Sequence, residues 1–198
     1  MNVLGVVFDS TLNWSQQVSQ TITKSKKALH AIKLIRKHFN QKELLTLLTS
    51  NFYSILYYNS EIWHIPSLSY QSKRYMLSAS ATPLKLCTKY DENVSFATLH
   101  NIHNRATPEK MIKYKMALQL HKIYNDDTMS FEWRQMFFAQ NFNERNQIAK
   151  FIDLSRYKIG KNLITNRLNI INNKIPLNWL NLSHTTYKLK CKELFLRN

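Results

Sequence analysis

Lys24-Ser25-Lys26-Lys27-Ala28-Leu29-His30-Ala31-Ile32-Lys33-Leu34-Ile35-Arg36-Lys37-His38-Phe39 is the stretch on which the reading of this chain turns. It belongs to a longer segment, Ser15 to Phe39, in which Val18, Ile22, Ala28, Leu29, Ile32, Ile35 and Phe39 recur at threes and fours and form one helical face. Lys26, His30, Lys33 and Lys37 follow spacings of four, three and four, so they make a separate stripe about a quarter-turn from the apolar face. A helix of this kind can pack on a core and still lay its stripe against phosphates. A merely solvated basic face has the same pattern, and spacing alone does not separate the two.

Outward from this helix the chain reads as mainly α. Upstream, Val3–Phe8 is a β-branched run ending at Asp9-Ser10, a strand running into a turn. Thr11–Trp14 is its one candidate partner, and a two-stranded ribbon alone is marginal, so the start looks cut from a larger sheet. Downstream, Asn40-Gln41-Lys42-Glu43 is a capping-box-like start. The helix it opens is apolar nearly all round (Leu44, Leu45, Leu47, Leu48, Phe52, Ile55, Leu56), which predicts a buried core helix. A third helix is expected from Ser67 to Thr88, kinked or split by Pro83. A short helix follows from Ser95 to Asn104. Thr107-Pro108-Glu109 then starts another, which ends near Asn125. The segment 128–153 reads as a connector, and Ser155 to Asn198 as a basic module whose last helix starts near Ser183 with Tyr187, Cys191, Leu194 and Phe195 on one face. The expected organisation is a strand or hairpin at 1–14, a helical bundle at 15–90, a helical connector at 91–153 and the basic module at 154–198.

Composition narrows the function. The 198 residues carry 28 Lys+Arg against 12 Asp+Glu, a net charge of +16. Ser10 to Lys42 holds seven basic residues and no carboxylate, and Lys150 to Asn198 holds ten basic and two acidic. The intervening 43–149 holds eleven and nine. Two basic ends around a near-neutral middle fit a polyanion held at two places, and nucleic acid is the usual one. Solubility charge or an anionic membrane surface is the alternative. Gly5 and Gly160 are the only glycines, where average usage of about 7% would give roughly 14. A phosphate-cradling loop needs several in one short run, so Walker A, Rossmann and kinase loops are excluded. Cys87 and Cys191 lack the spacing of a disulfide framework or zinc site. No apolar run approaches the ~18 residues of a membrane span, and the N-terminus lacks a basic signal-peptide region. A nuclear or cytoplasmic location is the expectation.

Tyr124-Asn125-Asp126-Asp127 spells the Tyr-x-Asp-Asp whose paired carboxylates hold metal ions in reverse transcriptases. That chemistry needs a hairpin between apolar strands and a third Asp. Here the tetrapeptide ends a helical pattern, which predicts a helix-terminal turn. His100 and His103 share a helix face, but no nearby Cys, Asp or Glu completes a metal set. A Ser/His/Asp triad lacks the glycines of a nucleophile turn. The aromatic-basic mixture at Tyr70–Tyr75 fits either base stacking or a half-buried helix.

Leu4-Gly5-Val6-Val7-Phe8-Asp9-Ser10-Thr11-Leu12-Asn13-Trp14 resembles the stretch closing the palm of non-LTR (LINE-type) retrotransposon reverse transcriptases, where a strand reading Leu-Gly-Val, an Asp and Leu-Asn-aromatic precede a basic amphipathic helix. Lys26-Lys27-Ala28-Leu29 and Leu44–Trp63, with Tyr58 and Trp63, are similar to the segments that follow. So are Leu99-His100, Asn104-Arg105-Ala106-Thr107-Pro108 and Tyr114-Lys115 with Ala117-Leu118. Nearer the end, Asn166-Arg167-Leu168, Lys174-Ile175-Pro176-Leu177, Trp179-Leu180-Asn181-Leu182 and Lys190-Cys191-Lys192 also resemble the tails of arthropod-type elements. The resemblance implies that 15–90 is thumb-like and grips a template–primer duplex. The family's fingers, most of its palm and its catalytic hairpin would precede Leu4, and a Cys-Cys-His-Cys knuckle is absent. No polymerase residue carries over, and Asp9 matches a turn rather than a metal ligand.

The expectation is therefore a non-catalytic nucleic-acid-binding fragment of an RNA-directed DNA polymerase, without cofactor or metal. Its expected partner is an RNA–DNA hybrid or structured RNA, recognised through backbone and shape. Lys26, His30, Lys33 and Lys37 are the expected stripe, with Lys24, Lys27 and Arg36 as secondary phosphate contacts. Arg156, Lys158, Lys161 and Arg167 are the C-terminal candidates. The alternatives are an accessory to a separate polypeptide supplying the palm, a structural helical protein, and a relic without selected function.

Overall fold

A computed structural model describes residues 1–86, 94–128 and 164–196, which are mainly α-helical with one two-stranded sheet at the N-terminus. The chain divides into two compact units, Met1–His64 with Leu68–Glu109, and Ile65–Ser67 with Lys110–Asn198.

The first unit opens with a hairpin. Strands β1 (Asn2–Val3) and β2 (Val6–Val7) pair antiparallel, Asn2 opposite Val7 and Val3 opposite Val6. The single strand expected over Val3–Phe8 is thus broken at its second residue. Leu4 (φ 48°) and Gly5 (φ 79°) both take the left-handed conformation that a two-residue hairpin loop of type I′ demands. Gly5 supplies it without steric cost and Leu4 does not, so the signal is half hidden in sequence. Thr11–Trp14 forms no strand. It wraps the Asp9 carboxylate, which accepts from the Thr11 amide and hydroxyl (3.0 and 2.6 Å) and from the amides of Asn13 (3.1 Å) and Trp14 (3.0 Å). These bonds, led by the Thr11 hydroxyl, hold the Asp9 pKa down at about 2.

Helix α1 (Ser15–Ile35) follows and tightens into a 3-10 turn at Arg36–His38. Asn40 then caps α2 (Gln41–Leu47) with a full capping box: the Glu43 amide donates to Asn40 Oδ1 at 3.0 Å and the Asn40 amide to Glu43 Oε2 at 2.8 Å. The helix continues through a π-helical stretch, Leu48–Tyr53, into α3 (Ser54–Leu56). It is less buried than its leucines predict. Leu44, Leu48, Phe52 and Leu56 are buried, while Thr46, Thr49, Ser50, Asn51 and Ser54 form an exposed polar face. All five return their side chains to carbonyls one turn earlier, and so do not need a buried partner. After α4 (Ser60–Trp63), Ser69 caps α5 (Tyr70–Ala81), which starts three residues later than the expected Ser67. Pro83 marks the change from α to 3-10 geometry at Thr82–Leu86. Helix α6 (Phe96–Ile102) is capped by Ser95. The core of this unit is built on Val18, Leu48, Phe52, Trp63, Met76 and Leu99.

The second unit takes most of α7 (Pro108–Tyr124), together with α8 (Ile164–Asn172), a 3-10 turn at Leu177–Trp179 and α9 (His184–Leu196). Ile112, Ala117 and Leu120 of α7 meet Leu168, Tyr187 and Cys191 in one core. The Tyr187 hydroxyl donates to the Ala117 carbonyl at 2.8 Å. The helix expected to start near Ser183 does so, with Tyr187, Cys191 and Phe195 buried. Of the expected helical connector at 91–153, the part carrying α6 and α7 is described, while the stretch read as a connector at 128–153 lies outside the described residues but for Thr128.

Candidate nucleic-acid interface

The direction in which α1 faces is set by polar groups. Trp14, left-handed at φ 63°, is buried and packs edge-on against Phe8 with ring centroids 5.1 Å apart. One turn on, Gln17 is buried with its Oε1 accepting the Val7 amide at 2.8 Å and its Nε2 donating to Thr21 Oγ1 at 3.1 Å. Ser25, fully buried, donates to the Thr21 carbonyl at 2.8 Å. Gln17, Thr21 and Ser25 therefore share the inward face with Val18, Leu29 and Ile32. Apolar spacing had placed Ile22, Ala28, Ile35 and Phe39 on that face. Ile22 and Ala28 are only half-buried, and Ile35 and Phe39 are exposed.

With that face inward, Lys26, His30, Lys33 and Lys37 lie together along one exposed flank, and Lys24, Lys27 and Arg36 are exposed as well. None of these seven side chains is in a hydrogen bond or ion pair among the described residues. No carboxylate occurs between Ser10 and Lys42 to neutralise them. Seven residues of helix separate Lys26 from Lys33, a rise of about 10 Å. Lys33, Arg36 and Lys37 also lie at the negative end of the helix dipole, where positive charge is favoured.

A second wall faces α1. An open trough of about 700 Å³ runs between α1 and α5. Lys26, Ser19 and Thr23 line it on one side and Gln71, Tyr75 and Ser78 on the other, over a floor that includes Val18, Leu29 and Phe52. Among the described residues no carboxylate lines it. Helix α5 is half-buried, with Ser72, Met76, Ser80 and Ala81 inward, and Tyr75 (54% exposed) and Tyr70 (80%) on its outer side. Sequence spacing on α1 alone does not reveal this trough, since its second wall comes from residues some fifty positions away.

The C-terminal candidates fare differently. Arg156, Lys158 and Lys161 lie outside the described residues. Arg167 is 5% exposed, with its Nη2 donating to Met116 Sδ at 3.4 Å inside the second unit. It is a core residue there, not a surface cation. Lys174, Lys188 and Lys192 are exposed, and Lys190 sits over the Trp179 ring, 5.1 Å from its centroid.

Other candidate chemistry resolves into structure. Tyr124 ends α7, and Asp126 Oδ1 accepts from the Thr128 amide (3.0 Å) and hydroxyl (2.6 Å), a local turn. His100 is fully buried, with Nε2 2.9 Å from Ser80 Oγ, and burial lowers its pKa. Ser80 is equally buried and so cannot meet a substrate. Among the described residues, no three His, Cys, Asp or Glu side chains are grouped to hold a metal ion, and no helix is long and apolar enough to cross a membrane. No protein-family model, curated protein or solved structure matches the chain.

Proposed function

We propose that this chain binds nucleic acid through the sugar–phosphate backbone, using helix α1 as its grip. The observation that carries the proposal is the exposed flank of Lys26, His30, Lys33 and Lys37, without an internal partner among the described residues and without a carboxylate in its own stretch of sequence. A solvated surface helix normally mixes both charge signs, whereas a one-sign stripe on a helix anchored by another face is the arrangement phosphates require. The ligand is an A-form-like duplex, an RNA–DNA hybrid or structured RNA, read by shape.

The resemblance to the thumb of LINE-type reverse transcriptases supports the same assignment and rests on the residues quoted for it. On this reading the chain is non-catalytic and works beside the chemistry, in keeping with Asp126 being turned onto Thr128 rather than displayed between strands. The test is the affinity of the protein for an RNA–DNA hybrid as salt is raised. A steep fall of log K against log salt supports backbone binding, and absence of binding at low salt contradicts it.

A further inference from the structure

We infer that the trough between α1 and α5 seats an unpaired strand of nucleic acid, with a phosphate on Lys26 and a base stacked on the ring of Tyr75. The inference rests on the reading of α1 as a backbone-binding helix and adds a second ligand state to it. Three features of the trough select this occupant. Its charge is of one sign: among the described residues Lys26 lines it and no carboxylate does, which suits a polyanion and disfavours an acidic or zwitterionic surface. Its polar lining is made of short hydroxyl and amide groups. The Ser19 and Ser78 hydroxyls have no hydrogen-bond partner among the described residues, leaving them for sugar or phosphate oxygens.

The third feature is Tyr75. A tyrosine at a helix surface gains little from being 54% exposed, and this one is steadied by Gln71, whose Nε2 donates to the Tyr75 hydroxyl at 3.0 Å. A steadied, open ring beside a lysine is a stacking platform. Only an unstacked base can use it, because a duplex keeps its base faces covered. Strands without pairing are bound elsewhere in proteins by this combination of cationic groove and aromatic faces.

The experiment uses the full chain and two labelled probes of equal phosphate count, a short oligouridylate and an abasic oligomer of the same length, read by fluorescence anisotropy. The wild type is expected to bind the base-bearing strand about tenfold more tightly. Tyr75→Ala should bring the two probes to parity without changing the salt slope, and Tyr75→Phe should keep the preference, since stacking does not need the hydroxyl. Lys26→Ala should weaken both probes alike and reduce the slope by about one. Equal binding of the two probes by the wild type overturns the inference, as does a preference that survives Tyr75→Ala. If neither strand binds while an RNA–DNA hybrid does, the trough assignment falls and the α1 grip stands. If the hybrid fails to bind too, both fall.

Discussion

Gln17 accepts the Val7 amide through Oε1 at 2.8 Å, from the buried face of helix α1. This one bond joins the N-terminal hairpin to the helix that carries the basic stripe, and the second end of the same amide continues to Thr21. Replacing Gln17 with Leu keeps the volume and leaves the Val7 N–H buried without an acceptor. The expected cost is about 1–3 kcal/mol, measured by urea denaturation. A loss below about 0.5 kcal/mol would mean that the bond does not orient α1.

The Asp9 turn makes stability depend on acid. The folded pKa is about 2 against an ordinary 3.8, so the unfolded chain binds the proton more readily. The stabilisation is therefore complete above pH ~4 and lost as pH falls towards ~2. Denaturant midpoints recorded across that window should fall for the wild type and fall less for Asp9→Ala. Equal slopes would show the carboxylate to be idle.

His100 acts higher on the pH scale. Burial lowers its pKa below the usual 6.5, with charge repulsion from His103 adding to it, so the folded state prefers the neutral ring. Stability present above pH ~6.5 should decline as pH drops below it, because the unfolded chain then takes up the proton first. The thermal midpoint at pH 5.5, about one unit below the ordinary His pKa, should lie under that at pH 7.5. His100→Gln should flatten the difference, and an unchanged difference in that variant would assign it to other groups.

In the second unit, Tyr187→Phe removes the hydroxyl that donates to Ala117 O at 2.8 Å from a fully buried position. The expected loss is about 1 kcal/mol, whereas Tyr187→Ala, which opens a cavity, should cost about 3–5 kcal/mol. Similar losses for both variants would contradict the packing described for α7 and α9.

Several elements were legible because one residue type settles them. Asn40 and Glu43 form their capping box, Pro108 opens α7, and Pro83 coincides with the end of α-geometry. What escaped has a common physical cause: polar groups doing buried work. Apolar spacing cannot find the inward face of α1 when Gln17, Thr21 and Ser25 occupy half of it through hydrogen bonds to backbone and to one another. It likewise overburies α2, whose hydroxyls fold back on their own helix. The hairpin escaped because Leu4 adopts a conformation that leucine does not advertise. Arg167, basic and near a basic terminus, looked like a surface cation and is buried. The stripe on α1, by contrast, was visible because lysines at helical spacing stay exposed wherever the helix packs.

On the proposed function, the stripe on α1 holds phosphates. The direct measurement is the salt dependence of binding to an RNA–DNA hybrid by the wild type and by a variant with Lys26, His30, Lys33 and Lys37 all changed to Ala. All four side chains are exposed, so the variant should fold. If the stripe holds phosphates, the variant binds more weakly and its slope of log K against log salt is shallower by about three, one for each lysine removed. Identical affinity and slope for the two proteins would show the stripe to be a solvated face that holds no phosphate.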